Sequence, residues 1–203
     1  MATSPVEICN QALGWLGGDL IISLDDDTVE AKLCKANYES LRDAVLEERE
    51  WTFAVSRIQL NKLTSEPIYG FSGEFQIPTN VIRILQVSKG AVGLSAVTRG
   101  GTGMGNESRT DWVREGQLVL SDEAALFARV LIKITDTTKF SPAFDQALAA
   151  RVAMDLAIPL TNSARMQQDM ARMYGEKIRI AASSDGMQGR SFNVRSDSLT
   201  VVR

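Results

Sequence analysis

The apolar residues of this chain keep two different periods, and the order in which they appear limits what it can fold into. Over residues 5–50 and again over 142–178 they recur every three or four positions, the spacing that lines one face of a helix. Between Arg57 and Asp136 they alternate, which is the spacing of a half-buried strand. Helices from the two ends must therefore find each other across a β segment, because an isolated amphipathic helix cannot bury its own stripe.

The helical ends are punctuated. Ser4-Pro5 opens a first helix, with Glu7 completing a capping box, a stripe of Val6, Cys9, Leu13 and Leu16, and Gly17-Gly18 as the stop. Asp27 is expected to cap a second helix running to about Glu50, with Ala31, Cys34, Tyr38, Leu41 and Val45 on its apolar face. Lys35, Arg42, Glu47 and Arg49 fall on the opposite face. The carboxylates Asp25 to Asp27 suit the electropositive start of that helix better than a cation site.

Four stretches read as antiparallel strands: GEFQIP, NVIRILQVSK, DWVREGQLVLS and ARVLIKITD. Gly116 marks a hairpin turn between Trp112-Val113 and Leu118-Leu120. In the last stretch Val130, Ile132 and Ile134 alternate with Arg129, Lys133 and Thr135, although Leu131 interrupts the polar face. A small sheet or sandwich is expected.

A third helix begins at Ser141-Pro142. Phe144, Leu148, Val152, Leu156 and Leu160 fall four apart, and Ala147, Ala149, Ala150, Ala153 and Ala157 fill the space around them. Pro159 with Thr161-Asn162 breaks it, and Ser163 caps a last helix carrying Met166, Met170, Met173, Tyr174 and Ile178. The fold expected from this pattern is α+β: a four-helix bundle made from both chain ends (1–56 and 137–185), an inserted small antiparallel β domain (57–136), and an extended C-terminal tail (186–203). The tail carries Arg190, Arg195 and Arg203 among Phe192, Val194, Leu199 and Val202, a mix suited to lying as a strand or clamp on an acidic partner.

Composition narrows the chemistry. There is no histidine, which removes Ser-His-Asp and Cys-His catalysis and most transition-metal sites. No catalytic residue, cofactor or metal ligand is expected. Cys9 and Cys34 fall among apolar residues and read as small buried hydrophobes, with a disulfide as the alternative. RGGTGMGNES, from Arg99 to Ser108, lacks the helix of a dinucleotide fingerprint and the Gly-Lys-Ser/Thr of a P-loop, so it reads as a loop. Glu47 with Glu48, and Asp122 with Glu123, are adjacent pairs that point apart and form no acid/base dyad.

No apolar run is long enough to span a bilayer, and MATSPVEIC lacks the basic and apolar regions of a signal peptide, so no membrane partner and cytoplasmic synthesis are expected. A net charge of -3 runs against phosphate neutralisation, so specific nucleic-acid binding is not expected. Charge is uneven, however. Residues 1–50 hold 11 acidic and 4 basic side chains, whereas residues 151–203 hold 5 and 8. These are either solvated helix faces or opposite charges that meet, within the fold or between copies of it.

The block AKLCKANYESLRDAVLEEREWTFAVSRIQL, with Tyr38, Arg42, Asp43, Leu46, Trp51, Phe53 and Ala54, resembles the Y-x-x-x-R-D-x-x-L…W-x-F-A pattern of phage head-to-tail adaptors, the tail tubular protein A family of short-tailed phages. FQIPTNVIRILQV and DTTKFSPAFDQALAARVAMDLAIPLTNS are similar to two further segments of that family, in the same order over residues 5–185. Pro78-Thr79-Asn80-Val81 departs from the family's usual Pro-Asp-Cys turn. The resemblance implies a virion structural protein at the head-tail junction, not an enzyme. Its subunits would form a homo-oligomeric ring, twelvefold to match the portal protein, with a tail nozzle protein below and tail fibres attached. The genome would pass the channel during ejection without specific binding. The resemblance also implies portal contact through Arg190, Phe192, Val194, Arg195, Leu199, Val202 and Arg203. The alternatives are a carboxylate-based glycan hydrolase acting during infection, or a minor capsid or tail protein of another position.

Overall fold

The computed structural model describes residues 4–89 and 111–188, which form four helices and six strands. Helix α1 (Pro5–Leu16) starts as its capping box requires: Ser4 Oγ accepts from the Glu7 amide at 3.2 Å, and Glu7 Oε2 accepts from the Ser4 amide at 2.9 Å. It stops at Gly17, whose φ of 73° is left-handed and open to glycine at little cost. Helix α2 (Val29–Glu48) is capped by Thr28 rather than Asp27, since the Thr28 hydroxyl accepts from the Ala31 amide at 3.2 Å. Asp27 is left outside the helix and pairs with Lys32.

After a 3-10 turn at Thr52–Ala54 come β1 (Val55–Lys62), β2 (Glu74–Gln76), β3 (Val81–Ser88), β4 (Val113–Glu115), β5 (Leu118–Leu120) and β6 (Leu126–Ile132). They build one antiparallel half-barrel sheet in the order β3-β6-β1-β2-β5-β4. The stretches picked out by alternation omit β1, yet β1 joins the two halves of the sheet. Val55 to Leu60 pair with Leu131 to Leu126, while Asn61 and Lys62 pair with Gln76 and Phe75. Gly116 makes the β4–β5 hairpin as expected, at φ 57°.

Helix α3 (Pro142–Thr161) and helix α4 (Ala164–Gln188) form an antiparallel hairpin, turned by Asn162 at φ 50° and capped by Ser163, which accepts from Met166. The expected four-helix bundle with an inserted small β domain is overturned in two respects. First, α3 is a hub with α1, α2 and α4 packed around it, and α1 and α2 each meet α3 far more extensively than they meet one another. The cause is α3 itself: Ala147, Ala149, Ala150, Ala153 and Ala157 are all buried, so the helix accepts neighbours on nearly every side, unlike a bundle helix with one stripe.

Second, the sheet is packed onto the helices through β6. Leu126, Ala128 and Val130 face the core of the half-barrel with Leu60, Phe75, Ile77 and Val119, whereas Leu131 joins the helical core. The apolar residue that interrupts a polar face thus marks the face covered by helices. Arg129 and Lys133, its polar neighbours, reach Glu50 at 3.3 Å and Asp43 at 2.7 Å. Residues 186–188, expected at the start of the extended tail, are helical and belong to α4.

Candidate functional site

The joint between helices and sheet is built from the block that carries the family resemblance. Trp51 is 1% exposed; its Nε1 donates to the Val45 carbonyl at 3.0 Å and its ring meets Phe144 edge-on at 5.0 Å. Phe53 and Phe140 complete the aromatic cluster. Arg42, expected on the solvated face of α2, is 3% exposed. Its Nε and Nη2 both donate to Asp43 Oδ1 at 2.9 Å, while Asp43 Oδ2 pairs with Lys133, the residue just past β6. One carboxylate therefore links Arg42 of α2 to Lys133 at the end of the sheet.

Tyr38, one turn before Arg42, is buried, and its hydroxyl finds no hydrogen-bond partner. Burial first, then the neighbourhood of Cys9, pushes this phenol well up, and Arg42 opposes them. Cys9 and Cys34 are free and buried against one another; their mutual hydrogen bond and then burial raise the Cys9 thiol far above its ordinary range. The same bond acts downward on Cys34. With both groups sealed from water, the pair is read as two neutral thiols.

The predicted portal-contact residues Arg190, Phe192, Val194, Arg195, Leu199, Val202 and Arg203 lie outside the described residues, as does the glycine-rich stretch from Arg99 to Ser108. What is described is the root of that C-terminal segment. Asp185, buried in the last turn of α4, accepts from the Thr52 amide at 2.9 Å and from the Thr52 hydroxyl at 2.6 Å. This clasp caps the 3-10 turn after Trp51 from 133 positions away in sequence. Sequence reading passed over it, although an acid in the last turn of a helix opposes the helix dipole and thereby hints at a tertiary partner.

Among the described residues, large apolar side chains are exposed singly at Val113 and Ile158, each 44% exposed, and in groups at three further places. In the α1–α2 loop Ile22 is 92% exposed, with Leu20 and Val29 also open to solvent. In the β1–β2 connection Ile68 and Tyr69 are 99% and 87% exposed. On α4 the exposed residues are Ile180 and Met187, the latter 82% exposed. The first loop is rigidly built: Asn10 holds both the amide and the carbonyl of Ile21 at 2.8 Å, and Asp26 Oδ2 accepts from the Ile22 and Ser23 amides at 2.8 and 3.0 Å. Asp26 thus braces the loop while Asp25 and Asp27 pair with Lys35 and Lys32, and Lys35 beside Asp25 holds that carboxyl below its usual range.

Among the described residues no group of three or more His, Cys, Asp or Glu could hold a metal ion, and no helix is long and apolar enough to cross a membrane. Three of the four adjacent carboxylates have structural partners: Glu48 receives the Tyr174 hydroxyl at 2.7 Å, Asp122 the Ser72 amide at 2.8 Å, and Glu123 sits 3.6 Å from Lys89. Compared with protein-family models and with curated proteins, the chain matches none.

Proposed function

We propose that this chain is a structural head-to-tail adaptor of a tailed phage, a subunit of a ring mounted under the portal that acts by assembly rather than catalysis. The observation that carries the reading is the grouped exposure of large apolar side chains on one subunit, at Leu20 with Ile22 and Val29, at Ile68 with Tyr69, and at Ile180 with Met187. Singly exposed apolar residues are ordinary, but apolar groups rimmed by polar side chains mark interaction surfaces, and a subunit enclosed by neighbours needs more than one. The sequence blocks around Trp51 and Phe144 add the family, and they lie where helices and sheet are joined into one unit.

On this reading the ring is homo-oligomeric and twelvefold, the portal lies on one side and the nozzle on the other, and DNA passes without specific contacts. The protein belongs at the head-tail junction of the virion. The test is to mix the purified protein with its portal and examine mass and particle images. Rings capping the portal are expected; free portal and free adaptor at micromolar concentrations, or turnover of cell-surface glycan by the protein alone, would overturn the reading.

A further inference from the structure

We propose that neighbouring copies of this chain meet head to tail, the acidic α1–α2 loop of one docking on the arginine ridge along α4 of the next. This deepens the ring reading and rests on it. The ridge is set by helix geometry. Arg165, Arg172 and Arg179 are spaced by seven residues, close to two turns, so they stand above one another on the side of α4 opposite the buried Tyr174, Ile178 and Ala181. Ile180 and Met187, also seven apart, run beside them, and Glu176, Arg179, Ile180 and Ser183 line a shallow open depression. Arg172 has only an exposed 3.8 Å pairing with Asp169, and among the described residues Arg165 and Arg179 make no ion pair.

The loop is its complement. Residues 17–35 carry five carboxylates against two lysines, and they surround Leu20, Ile22 and Val29. Asn10 and Asp26 hold this loop by four backbone hydrogen bonds, so Ile22 is presented to solvent in a fixed position with little left to order on docking. Both patches pair an apolar centre with charge, and the charges are opposite. Two loops would repel one another, and so would two ridges, so a symmetric pairing of like patches is disfavoured. A contact of loop with ridge joins different surfaces of identical subunits, the kind that closes into rings when its rotation permits.

Charge exchange tests this. In one variant the ridge is reversed by Arg172→Glu and Arg179→Glu; in a second the loop is reversed by Asp19→Arg and Asp27→Arg. All four positions are exposed, so both variants should melt as the wild type does. Sedimentation of the wild type should show concentration-dependent association that weakens with added salt. Each variant alone should associate at least about 100-fold more weakly, and an equimolar mixture should recover association, because every loop then faces a ridge of opposite charge.

A wild type that stays monomeric at every concentration, or a mixture no better than its parts, would overturn the contact. So would an Ile22→Asp variant that associates normally. Portal binding is measured separately. Rings on the portal without recovery in the mixture would sink the contact and leave the adaptor reading standing, while recovery without portal binding would do the reverse.

Discussion

Trp51 is the residue on which most of the joint depends. Its indole is enclosed by Phe53 and Phe144, and its N–H is used by the last turns of α2. Trp51→Ala removes that packing and leaves the Val45 carbonyl short of a donor, at a cost of about 3–5 kcal/mol. Urea unfolding of the variant checks this; a midpoint within error of the wild type would mean that the cluster closes without the indole. Tyr38 is the opposite case, since its buried hydroxyl is unpaired. Tyr38→Phe keeps the ring and removes an unsatisfied group, so stability should rise by about 1 kcal/mol in the same measurement. A loss of stability would show that the hydroxyl has a partner after all.

Between elements, short polar clasps decide where one segment ends and the next begins. Asp136 caps the turn at Thr137–Lys139 that leads into α3, and its Oδ1 accepts from the Thr138 hydroxyl at 2.6 Å and from the Thr138 amide at 3.0 Å. Those two bonds, the hydroxyl first, hold the Asp136 carboxyl below its usual range. A lowered carboxylate stabilises the fold fully above its unfolded pKa of about 4, and that contribution is lost as pH falls through the lower folded value. The melting-temperature gap between the wild type and Asp136→Ala should therefore be constant from neutral pH down to about 5 and close below about 4. A gap that persists in acid would assign the effect to something other than the charge.

At the scale of the molecule, the last described turn of α4 is held by a clasp. Asp185 fastens this turn to Thr52, 133 positions away in sequence. Deleting residues 189–203 should leave the melting temperature within a degree or two of the intact protein. On the proposed function the same deletion abolishes assembly onto the portal, because Arg190, Phe192, Val194 and Arg195 go with it. Binding titrations with the portal check this: retained assembly would remove the tail from the contact, and loss of the fold would show that it has a structural role.

Much of the element structure was legible in local chemistry. The Ser4-Glu7 capping box, the Gly17 stop, the Gly116 hairpin, the Ser141-Pro142 start and the Asn162 break all depend on residues within four positions of one another, and all are found where expected. Arrangement depended on contacts far apart in sequence. Whether Arg42 faces water was decided by tertiary packing around α2, and β1 became the strand joining the sheet's halves because β6 and β2 pair with it at different points along its length. Helix α3 became a hub because alanines permit close approach on several sides without naming which neighbours will come. Capping and turn formation are local free energies that a few residues carry alone, whereas burial belongs to pairs of surfaces, and only the folded chain determines which surfaces are paired.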